Sequence, residues 1–378
     1  MNFELSSEQK MLRDTVATFS KQKSTVERFR EVREKRRSWD ADVWAHMGEL
    51  GWLSVPFAED IGGFGGDFFD VMIIVEGLGK TLVPEPFIPS VVLGGMAIAE
   101  AGNQAQQERW LAPMIEGKSS LCLAYAERSS RFDPTAIETT ATKSGGGFKL
   151  SGRKEFVLNG HRADQLVVSA RTDGGVALFV IDRDAPGVEI TEIRTMDGHG
   201  AAMVGLDTEV EADRHLAGSG ADAGPIVEKV LDYGATAACA ESLGVAQATL
   251  DMTKAHLKER EQFGVPIGTF QALQHRAVDM FVETELMRSM AILAAGSCQL
   301  DDADERRRAV SAAKAHVARS GRKLTQSAIQ LHGGIGITDE HDVGLYFKRM
   351  HVLGMLFGDE EHHVHRFASL PTFTAGIA

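Results

Sequence analysis

Arg260-Glu-Gln-Phe-Gly-Val-Pro-Ile-Gly-Thr-Phe-Gln-Ala-Leu-Gln-His275 interrupts a C-terminal region that is otherwise helical in spacing. Apolar residues recur every three to four positions over 227–258, 269–299, 304–331 and 340–355. Long amphipathic segments with so few breaks predict a helical bundle. The quoted stretch is then a turn between two of its helices, with Arg260, Gln262, Phe263, Phe270 and Gln271 in or beside it. A guanidinium grips a pyrophosphate through two parallel hydrogen bonds. Glutamine amides read an adenine or ribose edge, and a phenylalanine packs on its face. The same residues also suit a plainer role, an interhelix ion pair above core phenylalanines.

Working towards the N-terminus, the period falls to two between about 121 and 218. Phe148-Lys-Leu-Ser-Gly, Glu155-Phe-Val-Leu, Gln165-Leu-Val-Val-Ser-Ala and Val176-Ala-Leu-Phe-Val-Ile read as strands. Gly145-Gly146-Gly147 and Thr172-Asp173-Gly174-Gly175 read as hairpin turns. Residues 1–120 are helical again. Ser6 with Gln9 forms a capping-box pattern, followed by Leu12, Val16 and Phe19 at helical spacing. Helices are expected over 41–50, stopped by Gly51, and over 71–80, 90–101 and 104–117, with Pro84, Pro86 and Pro89 as breakers. The expected order is an N-terminal helical domain (1–120), a small central antiparallel β domain (121–222) and a C-terminal helical bundle (223–378), an α+β fold.

At 378 residues the chain is long enough for several layers with ample core, and 43% hydrophobic with 25% charged residues fits a globular protein. A net charge of -13 argues against nucleic acid, whose phosphates need a basic footprint. Cys122, Cys239 and Cys298 are odd in number and far apart, which speaks against a disulfide framework or a thiolate metal site and suits a reducing cytoplasm. The opening Met-Asn-Phe-Glu-Leu-Ser lacks the blocks of a signal peptide, and no window reaches the roughly 20 apolar residues of a membrane span.

Several motifs invite chemistry and fail on context. Gly62-Gly63-Phe64-Gly65-Gly66 follows no strand and precedes no Lys-Ser/Thr pair, so it reads as a turn. Gly333-Gly334-Ile335-Gly336 follows a helix, which excludes a Rossmann fingerprint and leaves a helix C-cap. His362, His363 and His365 beside Glu360 and Glu361 lack ligands at a second position and read as a solvated charged face. No Gly-x-Ser-x-Gly elbow supports a serine hydrolase.

The Arg260–His275 stretch, taken with Gln330-Leu331-His332-Gly333-Gly334-Ile-Gly336, resembles the two C-terminal signatures of the acyl-CoA dehydrogenase family. Leu50-Gly-Trp-Leu-Ser-Val-Pro56, Ser151-Gly-Arg-Lys154 and Tyr346-Phe-Lys-Arg349 extend the resemblance over nearly the whole chain, and the expected domain order agrees. Leu82-Val-Pro-Glu-Pro86, Glu127-Arg-Ser-Ser-Arg131 and Leu356-Phe-Gly-Asp359 are similar to the small subunits of pimeloyl-CoA dehydrogenases and related bacterial two-component enzymes. The resemblance implies FAD as cofactor, an acyl-CoA substrate, an electron-transferring flavoprotein as acceptor, and a dimer in which both signatures clamp the ADP half of the neighbouring subunit's FAD. It implies cofactor contacts at Arg260, Gln262, Phe263, Phe270, Gln271, Gln330, Leu331, His332, Gly333 and Gly334, and at Tyr125, Ala126, Phe156 and Leu158 beside the flavin ring.

The family reaction needs a glutamate to take the α-proton while the β-hydride passes to flavin. Its usual position is here Phe357, and its alternative position falls at Gly234 and Ala235. No catalytic residue is therefore assigned. Asp359 lies one position beyond Gly358 and Glu241 on the earlier helix, and an offset of one residue on a helix turns a side chain by about 100°. The flavin-facing hydroxyls are also replaced, at Ala126 and Leu158. Groups that act within a subunit are missing, and groups that act across a dimer are present. The implied protein is the small subunit of a heterodimer or heterotetramer whose partner carries the base. The alternatives are a homodimer with a non-standard base and a non-catalytic acyl-CoA-binding or scaffolding relative.

Overall fold

The computed structural model of the protein describes residues 5–35, 38–220 and 222–371. The first four residues, read above against a signal peptide, lie outside them. The helices and strands run α1 (Ser7–Gln22), α2 (Val26–Glu34), α3 (Ala41–Glu49), α4 (Phe68–Gly79), α5 (Met96–Ala101), α6 (Gln104–Ile115), β1 (Leu121–Ala124), β2 (Thr140–Ser144), β3 (Gly147–Leu158), β4 (Gln165–Thr172), β5 (Gly175–Asp182), β6 (Val188–Arg194) and β7 (Gly200–Glu211). They continue with α7 (Gly224–Glu259), β8 (Glu261–Gln262), β9 (Val265–Pro266), α8 (Gln271–Ala295), α9 (Ala303–His332), α10 (Val343–Met355) and α11 (Glu360–Ala368). The described residues fall into two compact units, one within Met1–Glu31, Phe68–Val83 and Ala235–Ala378, the other within Val32–Asp67 and Pro84–Gly234.

In the first unit, α1 begins at the capping box seen in the sequence. The Ser6 hydroxyl accepts the Gln9 N–H and the Gln9 side chain accepts that of Ser6, both at 3.2 Å. Helices α4 and the later part of α7 meet backbone to backbone. A Cβ on Gly244 would overlap the Glu76 carbonyl, and one on Gly79 would lie 2.6 Å from the Glu241 carbonyl oxygen. Helix α9 is the hub, with α8, α10 and α11 all packed against it. Its buried stripe includes small residues, among them Ala313, Ser320, Gly321 and Ala328, which let its neighbours approach closely. Four long helices form this bundle, with the short α11 added to them.

In the second unit, a seven-stranded sheet runs β1-β4-β2-β3-β7-β6, with β5 on the other side of β4. Most pairings are antiparallel, while β1 lies parallel to β4. Strands β4 and β5 are buried on both faces, which explains their unbroken apolar runs. Leu150, Val157, Leu166, Val168, Phe179 and Val204 form the centre of the core, each worth about 1.5–3 kcal/mol on burial. Both predicted hairpins form, with Gly145-Gly146 joining β2 to β3 and Asp173-Gly174 joining β4 to β5. The two runs read as separate strands at 148–152 and 155–158 are one strand, β3, with a bulge between Lys154 and Val157. The period-two block also holds β6 and β7, beyond the runs named from the sequence.

Pro89 does not break the chain into extended structure. A π-helical stretch, Phe87–Gly95, leads straight into α5 with Pro89 in its first turn. First-turn N–H groups have no helical acceptor, so a missing one costs nothing there.

Candidate cofactor and catalytic site

The quoted Arg260–His275 stretch folds as a tight hairpin between α7 and α8. Gln262 pairs with Val265 and Glu261 with Pro266. The two turn residues, Phe263 at φ 55° and Gly264 at φ 79°, are both left-handed, as a two-residue I′ turn requires. For phenylalanine that conformation is strained, and the turn presents its ring almost wholly to solvent, 92% exposed. The ring meets Phe270 edge-on at 6.0 Å. Neither phenylalanine is core, which removes the plainer alternative for them. Arg260, Gln262 and Gln271 are exposed, and the Arg260 guanidinium has no ion-pair partner among the described residues.

Helix α9 ends at the second signature. Gly333 has φ 64° and ψ -139°, a conformation open essentially to glycine alone. A Cβ added at Gly333 or Gly334 would meet nothing of this chain within 4 Å. The bare backbone at Gly334 is thus not demanded by the chain's own packing and leaves room for a close-lying external group. Gln330 is exposed beside it, whereas the Leu331 and His332 side chains are buried, at 5% and 4% exposure. Of the sequence-assigned contacts, those two can offer only backbone. A free guanidinium, exposed aromatics and an unfilled glycine turn fit the ADP portion of a dinucleotide.

In the β unit, Tyr125 and Ala126 follow β1, and the Ala126 carbonyl accepts the Glu155 N–H at 2.8 Å. The bulge in β3 turns Phe156 (φ 53°) outward to 41% exposure and leaves Leu158 half-buried. One feature of this wall was not picked out from the sequence. Lys154, wholly buried, donates to Glu127 at 2.6 Å, Ser169 Oγ at 3.1 Å and the Tyr125 carbonyl at 3.3 Å. Glu127 also accepts the N–H groups of Glu138 and Thr139. Burial pushes Lys154 down to about 8. Burial also raises Glu127, but bonds from Lys154 and Thr139 outweigh it and hold the carboxyl below its usual range. The pair ties Tyr125-Ala126 to the strand that carries Phe156. A signal was present, since Lys154 occupies the inward phase of β3 set by Leu150.

The position matched to the family base is structured without a carboxylate. Phe357 has φ 60° and is 8% exposed. Buried Lys314 donates to the Gly354 and Gly358 carbonyls at 3.0 Å each, and His363 Nε2 lies 3.0 Å from the Phe357 carbonyl. Burial lowers Lys314 to about 8 and raises the nearby Cys239 thiol to about 12. His363 is thus core, not part of a solvated face as its neighbours suggested. Burial drives it well below its usual value. Neither shifted carboxylate is spare. Asp359 caps α11 by accepting the His362 N–H at 2.8 Å. Glu241 accepts two hydrogen bonds from Arg349, at 2.6 and 2.8 Å.

Comparison with known proteins gives this geometry its family. Residues 6–118 match the model of the acyl-CoA dehydrogenase N-terminal domain, 122–208 the middle domain and 223–369 the C-terminal domain. The chain belongs to the acyl-CoA dehydrogenase family. It is 30% identical to a probable acyl-CoA dehydrogenase, YngJ, of Bacillus subtilis, over 91% of this chain and 92% of that protein. Among solved structures it is similar to the Tcur3481-Tcur3483 steroid ACAD variant, with a TM-score of 0.87 and 31% identity over 98% and 99% of the two chains. It is also similar to the ChsE4-ChsE5 complex from Mycobacterium tuberculosis, with a TM-score of 0.87 and 26% identity over 97% and 98%. Like other acyl-CoA dehydrogenases, it has an N-terminal helical region, a central sheet and a C-terminal helical domain. Among the described residues no helix is long and apolar enough to cross a membrane.

Proposed function

We propose that this acyl-CoA dehydrogenase chain works as one subunit of a heteromer that carries out FAD-dependent α,β-dehydrogenation of an acyl-CoA thioester. Arg260, Gln262, Phe263, Gln330 and the Gly333–Gly334 turn bind the ADP portion of FAD, and a second dehydrogenase subunit holds the flavin ring and the catalytic carboxylate. FAD supplies the hydride acceptor, and an electron-transferring flavoprotein takes the electrons onward.

The observation that carries this reading is a contrast in exposure. The clamp side chains lie on the surface, Gln262 bonds the carbonyl of the adjacent Glu261, Phe263 meets Phe270, and a Cβ at Gly333 or Gly334 would meet nothing within 4 Å. The base position is closed by Phe357, and both nearby carboxylates already serve an ion pair or a helix cap. In this subunit Arg260 anchors and orients anionic cofactor oxygens, and the aromatic pair excludes water from the adenine face.

Helix α8 supports an obligate neighbour. Beside its buried stripe of Met280, Thr284 and Met287 it carries a second apolar row, Val278, Phe281, Val282, Leu286 and Leu293, each 45–57% exposed. A helix that is apolar on two sides is normally covered on both. The relatives named Tcur3481-Tcur3483 and ChsE4-ChsE5 carry paired names, in keeping with such an assembly.

The test is to purify the chain alone and with a partner dehydrogenase subunit, recording the visible spectrum and the mass by light scattering. A colourless preparation that acquires FAD only in the pair supports the heteromer. A yellow homodimer bleached by an acyl-CoA overturns it.

A further inference from the structure

Three histidines from separate segments meet beside the clamp. His332, the last residue of α9, stacks on His256 of α7 with ring centroids 4.5 Å apart and planes 27° apart. On another side it meets His341, from the segment before α10, at 4.5 Å and 58°. His332 is fixed from behind, since its Nδ1 donates to the Ala328 carbonyl at 2.8 Å. His341 is fixed too, its Nδ1 accepting the Val343 N–H at 3.1 Å.

Two of the rings adjoin parts of the clamp. Arg260 follows His256 by one helical turn, and its N–H donates to the His256 carbonyl at 2.9 Å. Gly333 follows His332 directly, with Gln330 two residues before it. The described residues hold no group of three or more side chains placed to bind a metal ion, so the rings meet as packing partners. Offset aromatic contacts of this kind fix both separation and tilt. Burial pushes His332 down to about 4 and His256 below its usual value, which favours neutral rings at the stacked pair.

We propose that the His256–His332–His341 stack sets the register between Arg260 and the Gln330–Gly334 turn, making His256 and His332 positioning residues for binding the ADP portion of FAD. The proposal rests on the clamp reading given above. The Arg260 side chain is exposed, and its backbone is held by the His256 carbonyl at the end of α7 and by the Ile267 N–H at 2.8 Å, so the end of α7 helps to determine where its guanidinium starts. The contact between His256 and His332 connects that end to the glycine turn.

The test measures FAD affinity by fluorescence quenching and ADP affinity by competition, on the assembled FAD-binding form of the protein, with the melting temperature as a control. His256→Ala should weaken both ligands about tenfold, and His256→Phe, which keeps a ring in the stack, should stay within about twofold of wild type. Wild-type affinity in His256→Ala, or equal loss in His256→Phe and His256→Ala, overturns the proposal. Should His256→Ala not fold, the His341→Ala and His341→Phe pair makes the same comparison at the half-buried end of the stack. Arg260→Ala separates the two levels. If it binds FAD and ADP as wild type does, the clamp reading fails and the proposal with it. If Arg260→Ala binds weakly while His256→Ala does not, the proposal alone fails.

Discussion

Glu241 and Arg349 face each other across α7 and α10 as a buried bidentate ion pair, Oε1 to Nε at 2.6 Å and Oε2 to Nη2 at 2.8 Å. Both groups are nearly removed from water, at 7% and 9% exposure. Removing one partner would leave an uncompensated charge, at a cost of about 3–5 kcal/mol. Arg349→Met should therefore lower stability by about that amount in urea unfolding. A loss under about 1 kcal/mol would show that water reaches the pair.

Arg260→Ala should weaken FAD binding by the assembled protein roughly ten- to hundredfold, since charge-assisted hydrogen bonds to a pyrophosphate are lost. Because the side chain is exposed, the melting temperature without FAD should hardly move. Arg260→Lys should recover only part of the affinity, as an ammonium lacks the planar fork.

Phe357→Ala and Asp359→Asn should leave kcat of the assembled enzyme within about twofold of wild type, since neither residue carries the chemistry under the heteromer reading. Asp359→Asn keeps an N-cap acceptor, so its effect on folding is small. A hundredfold loss in kcat for Asp359→Asn alone would instead make this chain its own catalyst.

Leu286→Glu on the exposed apolar row of α8 should reduce the mass seen by light scattering, because a carboxylate placed inside an apolar contact is desolvated without a partner. FAD content should fall with it. An unchanged mass would mean that the row does not face the other subunit.

Acid should destabilise the fold earlier than carboxylate titration alone would. Burial holds His161 and His332 down at about 4 and His363 well below its usual value, against 6.5 for a free imidazole. With folded values depressed, the unfolded chain takes up protons first. The stability tied to these groups is full above about pH 6.5 and drains as pH falls towards 4. Urea midpoints at pH 7.5 and 5 test this directly. Replacing His161 with Gln should flatten the slope if the protein still folds.

Much of the fold was legible because it is local. The Ser6–Gln9 capping box, the Gly145-Gly146 and Asp173-Gly174 hairpins and the long helical periods each depend on neighbours a few residues apart. The Arg260–His275 turn was legible for the same reason, with Gly264 at φ 79° in the left-handed turn. The sequence also showed that the usual base position holds a phenylalanine, since residue identity alone decides whether a proton acceptor is present.

Partnerships were not legible, because they join residues far apart in the chain. Only the tertiary structure binds Glu241 to Arg349, Lys154 to Glu127 and His256 to His332. It alone makes His363 core while its neighbour His365 stays exposed. Residue type and spacing determined the elements and showed that the usual base position holds no carboxylate. Burial, which depends on the packing of distant segments, decided which carboxylates are already engaged and which cations and glycines remain open to a ligand.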